Sequence, residues 1–126
     1  MSNFEVKTDN APGAIGPYSQ AIKANNTIYV SGQLGLNPKS GNFDSDDIVT
    51  QTKQSLNNIK AILESQGYSM EDVVKTTVLL KDIKEFGPMN EVYNTFFTKP
   101  YPARAAFEVA ALPKGGRVEI EAIAVK

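Results

Sequence analysis

The sequence predicts an α+β domain in which two helices back a single sheet, in the order β-β-β-α-β-α-β-β. Three observations lead there. Two segments carry apolar residues at helical spacing, 46–66 and 88–97. Six shorter runs have strand character and are bounded by Gly, Pro or Asn. No repeat and no linker divides the chain, and its 126 residues suit one domain over 1–126. A domain of this size buries roughly two-thirds of its unfolded surface and folds without covalent staples.

A short strand is expected over Phe4–Lys7, followed by the shaped loop NAPGAIGPYSQ, rich in Gly and Pro. Ala21–Ala24 and Thr27–Ser31 flank Asn25-Asn26, and Asn tolerates the positive φ of a two-residue hairpin turn. Gly32–Asn42 then reads as irregular. The first helix is expected over Asp46–Gln66, with Ile48, Leu56, Ile59, Ile62 and Leu63 on one face. Asp44 or Ser45 can cap it, Asp46 and Asp47 suit its first turn, and Gly67 its end.

Val73–Leu80 is a strand with mostly apolar residues on both faces, which predicts a central position covered on both sides. The second helix is expected from Pro88, a favourable first helical residue. Met89, Val92, Tyr93, Phe96 and Phe97 form its apolar stripe. Two strands, Ala103–Ala110 and Arg117–Val125, close the chain. Helices can cover one face of such a sheet. The other has nothing left in the chain to cover it, which predicts burial in an oligomer.

Composition narrows the chemistry. Without cysteine, the chain has no disulfide, thiolate nucleophile or thiolate metal ligand. Without histidine, it lacks the side chain best suited to proton transfer near pH 7 and the commonest transition-metal ligand. Asp, Glu, Lys, Tyr, Ser, Thr and Arg remain. The formal net charge of −1 argues against a nucleic-acid surface built on bulk electrostatics. MSNFEVKTDNAP has no cationic start followed by an apolar run, and no stretch approaches the ~20 apolar residues that span a bilayer. A cytoplasmic protein without membrane contact is expected.

One residue stands out. Arg104 lies just inside the strand YPARAAFEV, where a desolvated cation needs an anion. Alternation puts Arg104, Ala106 and Glu108 on one face of that strand, and Glu119 and Glu121 on one face of the last. Two readings stay open: a structural ion pair between Arg104 and one of these glutamates, or a receptor for an external anion. The planar guanidinium fork matches a carboxylate, and Ala105 and Ala106 leave room beside it. Tyr18 is a site phenol or a core residue. Ser31-Gly32 offers backbone N–H groups to a ligand or forms a bulge. Asn90 is a site residue or a solvated one, and Lys75 reads best as a snorkelling lysine.

Five landmarks in order then make the chain resemble the Rid/YjgF family of reactive imine deaminases over nearly its whole length. They are APGAIGPYSQA (11–21), YVSGQLGLNP (29–38), DVVKTTVLLKD (72–82), MNEVYNTFF (89–97) and PARAAFEVAALPKGGRVEIEAIAV (102–125). The resemblance implies a chorismate-mutase-like fold with one mixed sheet backed by two helices. It implies a homotrimer around a central barrel, with sites in the clefts between subunits. It also implies hydrolysis of 2-imino acids such as 2-iminobutanoate and 2-iminopropanoate to 2-oxo acids and ammonia, without cofactor or metal. Position by position, Arg104 matches the arginine that clamps the substrate carboxylate, and Glu119 the glutamate that orients or activates water. Tyr18, Ser31, Gly32 and Asn90 match residues of the cleft. Ala106 stands where the family often has cysteine, so only its backbone carbonyl is left to contact a ligand. The family has also been labelled ribonuclease and translation inhibitor, and a non-catalytic small-acid sensor or holdase is a third class of role.

Overall fold

In the computed structural model, which describes residues 3–126, the elements follow the expected order. Strands β1 (Asn3–Val6), β2 (Ala21–Ala24) and β3 (Thr27–Leu34) precede helix α1 (Ile48–Glu64). Strand β4 (Val73–Leu80), helix α2 (Phe86–Asn94), β5 (Ala103–Glu108) and β6 (Val118–Val125) complete the chain. The six strands form one mixed sheet in the order β1-β2-β3-β6-β4-β5, in which only the β4–β5 pair is parallel. Both helices lie on one face. Leu56, Ile59, Ile62 and Leu63 of α1 and Met89 and Tyr93 of α2 are buried there with Ile28, Val30, Val78, Leu80, Ile120 and Ala122 of the sheet. Burying each of the large aliphatic side chains contributes about 1.5–3 kcal/mol.

The hairpin turn at Asn25-Asn26 forms as expected, with Asn25 at φ 54°. Several boundaries differ from the sequence reading. Strand β3 continues to Leu34 instead of stopping at Ser31. Gly32 does not break it, because the strand bulges: Val30 pairs with Ala122, the register shifts, and Gln33 resumes with Ile120. Helix α1 is capped by Asp47, whose carboxylate accepts from the Thr50 N–H, instead of by Asp44 or Ser45. Ser45 donates to the Asp47 carboxylate, and that bond with the backbone N–H of Thr50 holds the carboxyl below its usual range. Helix α2 begins at Phe86, earlier than Pro88, and ends at Asn94 before Phe96 and Phe97. Strands β5 and β6 are one or two residues shorter than expected.

Strand β4 is interior to the sheet, between β6 and β5, but the chain covers only one of its faces. Thr76, Val78 and Leu80 are buried against the helices. Lys75, Thr77 and Leu79 face the opposite, open side with Tyr29, Phe107, Glu121 and Ile123, to which the register assigns them. Tyr29 and Phe107 remain 50% and 48% exposed on this bare sheet face.

A buried polar ladder on α1 braces the end of β3. Ser55 Oγ donates to the Gln33 carbonyl at 2.6 Å, and Asn58 Nδ2 to the carbonyls of Leu34 and Leu36. Gln51 accepts from the Arg117 N–H and donates to the Ser45 carbonyl. These side chains give the backbone beyond the bulge the partners that a buried chain requires.

Candidate active site

The expected site residues fall into two groups on opposite faces of the sheet. Tyr18, Ser31, Gly32 and Glu119 line one cavity of about 560 Å³, with Ile15 and Glu121 in its wall. Asn90 and Arg104 line a second, of about 430 Å³, with Tyr93 and Tyr101.

The first group is organised by the bulge. Ser31 and Gly32 are the two residues that lie between buried Val30 and buried Gln33, so both fall on the open side. The Ser31 hydroxyl donates to the Ser19 carbonyl at 2.6 Å, and the Ser31 N–H to the Gln20 carbonyl at 3.0 Å. Ser31 thus ties the loop carrying Tyr18 to the strand. The same loop is folded around the buried Gln20 amide. That amide accepts from the Thr8 N–H and donates to the carbonyls of Thr8, Ala11 and Pro12. Glu119 lies over Gly32 so closely that a Cβ there would stand 2.5 Å from Glu119 Oε2. Burial raises the Glu119 carboxyl above its ordinary value, and the charge of Glu121 adds to the rise. A half-buried carboxylate of raised basicity suits the acceptance of a proton from water.

The second group is built on the edge strand. Arg104 pairs in register with Thr76, so it projects to the helix side, as do Ala106 beside Val78 and Glu108 beside Leu80. Arg104 Nη1 donates to Asn90 Oδ1 at 2.7 Å. The guanidinium lies over the rings of Tyr93 and Phe86, at 4.7 and 5.3 Å from their centroids. Ala106 packs against the core. Among the described residues, the ion pairs involve Arg117, with Asp46 and Glu85, and none involves Arg104.

The intrachain pairing of Arg104 with Glu119 or Glu121 is therefore overturned. Glu119 pairs with Leu79 and Glu121 with Thr77, both open-side residues, whereas Arg104 stands on the helix side. Alternation assigns faces within a strand; only register and strand order relate the faces of two strands. The sequence reading also passed over Phe86, and it took Tyr93 as core alone. The helical stripe that placed Tyr93 inside carried a signal only in its hydroxyl, which a purely apolar position does not need.

A family model described as Endoribonuclease L-PSP matches residues 8–126. The chain belongs to this family, the Rid/YjgF proteins. It is 54% identical to the 2-iminobutanoate/2-iminopropanoate deaminase of Mus musculus, over 96% of this chain and 90% of that protein. Among solved structures of Rid/YjgF proteins, RidA from an Antarctic Psychrobacter superposes with a TM-score of 0.94 at 50% identity, covering 98% of this chain and 99% of that one. TdcF from E. coli, solved with bound serine, superposes with a TM-score of 0.93 at 41% identity, covering 98% of each chain.

Proposed function

We propose that this Rid/YjgF protein hydrolyses small 2-imino acids and their enamine tautomers, 2-iminobutanoate and 2-iminopropanoate among them, to 2-oxo acids and ammonia. One observation carries the reading to these residues. Arg104, a guanidinium without a carboxylate partner among the described residues, and Glu119, a carboxylate of raised pKa, lie on opposite faces of one chain. They are two halves of a site. Two copies of the chain complete it, each supplying one half, in a homotrimer whose subunits cover one another's open sheet faces.

In that cleft Arg104 takes the substrate carboxylate through the N–H groups not given to Asn90. Holding the acid there turns a chance encounter with water into a positioned one. The iminium carbon is already electrophilic, so it asks for an oriented water and a base of modest strength. Glu119 accepts a proton as the water oxygen bonds to carbon and the C=N π pair moves to nitrogen, giving a neutral carbinolamine. The same carboxyl returns the proton to nitrogen, the C–N bond breaks, and loss of the hydroxyl proton leaves a 2-oxo acid and ammonia. Tyr18 and the Ser31-Gly32 backbone close the cleft around the acid, and the Ala106 carbonyl faces it from the other half. A cytoplasmic setting, where pyridoxal-phosphate dehydratases make such imines, belongs to the same reading. Among the described residues no helix is long and apolar enough to cross a membrane.

The deaminase names of the relatives and the small amino acid bound to TdcF support the substrate class. A ribonuclease reading meets two carboxylates, Glu119 and Glu121, against one lysine, Lys114, in the lining of one cavity, an unfavourable balance for a phosphate backbone. The test is a coupled assay. Added to a threonine dehydratase reaction, the protein accelerates release of 2-oxobutanoate and ammonia, and Arg104→Ala abolishes the acceleration without changing assembly. No acceleration by the native protein would overturn the proposal.

A further inference from the structure

We propose that Tyr93 is a positioning residue for Arg104: with Phe86 it holds the guanidinium against uncharged surfaces, leaving its charge for the ligand carboxylate. The inference rests on the reading of Arg104 as the carboxylate receptor, and it explains how that receptor is kept ready.

An arginine on an edge strand, exposed to solvent, has many rotamers to lose before it can bind an anion in a fixed geometry. The usual way to fix it is an ion pair. A carboxylate partner, however, occupies the N–H fork and neutralises the charge that the ligand needs. Here the contacts that hold the guanidinium are neutral. Asn90 Oδ1 takes one N–H at 2.7 Å, and the rings of Tyr93 and Phe86 lie 4.7 and 5.3 Å from Cζ. A ring attracts the cation through its electron-rich face and accepts no conventional hydrogen bond from the fork.

Tyr93 can fix another group because it is itself fixed. It is 5% exposed, its hydroxyl is 2.8 Å from Thr76 Oγ1, and its ring packs on Phe97 with centroids 4.6 Å apart. Thr76 is the register partner of Arg104 on the adjacent strand. The contacts therefore close a loop, from Arg104 across the sheet to Thr76, through the phenol of Tyr93, and back to the guanidinium. A residue serving only to fill the core would need neither the hydroxyl bond nor the contact with an exposed cation.

The experiment uses the assembled protein with 2-oxobutanoate as the acid, measuring its dissociation constant together with KM and kcat for imine hydrolysis. Tyr93→Leu keeps apolar bulk and removes the ring; it weakens the acid about 5- to 10-fold and raises KM equally, with kcat within about 2-fold. Phe86→Leu acts in the same direction to a smaller extent. Tyr93→Phe restores the ring and recovers most of the lost affinity. If Tyr93→Leu does not fold, Phe86→Leu, at a half-buried position, decides the matter. Arg104→Ala is the reference. If it binds the acid as the native protein does, the reading of Arg104 itself fails. If it loses the acid while folded Tyr93→Leu and Phe86→Leu bind normally, or lower kcat instead of raising KM, the positioning role alone is overturned.

Discussion

Gly32 and Glu119 are in direct contact across β3 and β6: the space a Gly32 side chain would occupy is filled by the Glu119 carboxylate, 2.5 Å from the Cβ position. Gly32 is kept for that closeness. The three atoms nearest to that Cβ position all belong to the Glu119 side chain, whose far end can swing away. Gly32→Ala should therefore leave the fold intact and move the carboxylate. Steady-state kinetics should show activity falling about 10²-fold, the size of effect expected when a reacting group is misplaced by an ångström. Thermal unfolding should change little.

The acid limb of the pH–rate profile should report Glu119. The base form is the one that accepts the proton, so activity falls as pH drops through its pKa, which burial and then Glu121 hold above the ordinary value. Glu121→Gln removes the second cause and should move that limb to lower pH. The sign for stability is opposite. A carboxyl whose pKa is higher in the folded state stabilises the fold fully below its unfolded pKa. That contribution is lost as pH rises through the folded value. Glu119→Gln should therefore raise the unfolding temperature at neutral pH relative to the native protein, and the gain should vanish in acid.

Much of this arrangement is legible from residues alone, and the exceptions have physical reasons. The bounds of β4 follow from the branched run VVKTTVLL, and the Asn25 turn from tolerance of positive φ. Glycine usually marks a break, so residues alone end β3 before Gly32. Its place in the strand depends on a partner strand and on Ser55 and Asn58, more than twenty residues away. The helix cap moved to Asp47 because Ser45 and Asp47 bond to each other, a choice among adjacent capping residues that composition does not make. The face of Arg104 relative to Glu119 depends on long-range register, which no local pattern contains.

The buried ladder on α1 makes a paired prediction for stability. Among the described residues, Thr52 Oγ1 is buried without a hydrogen-bond partner, whereas Ser55 and Asn58 both bond to backbone carbonyls. Thr52→Val should be neutral or stabilising by up to about 1 kcal/mol, since it removes an unpaired buried hydroxyl. Ser55→Ala and Asn58→Ala should each cost about 1–3 kcal/mol by leaving backbone carbonyls unpaired. Urea unfolding monitored by circular dichroism distinguishes the two classes.

A working site should take Arg104 from one copy of the chain and Glu119 from another. Subunit mixing tests it most directly. Arg104→Ala and Glu119→Gln should each be inactive as pure assemblies; unfolded together in equal amounts and refolded, they should regain activity. Random pairing leaves about a quarter of the interfaces with both native residues, and hence about a quarter of native activity. The double variant carrying both changes in one chain, mixed and refolded with itself, should stay inactive. Mixed assemblies of the two single variants that form normally yet remain as inactive as their parents would contradict the account.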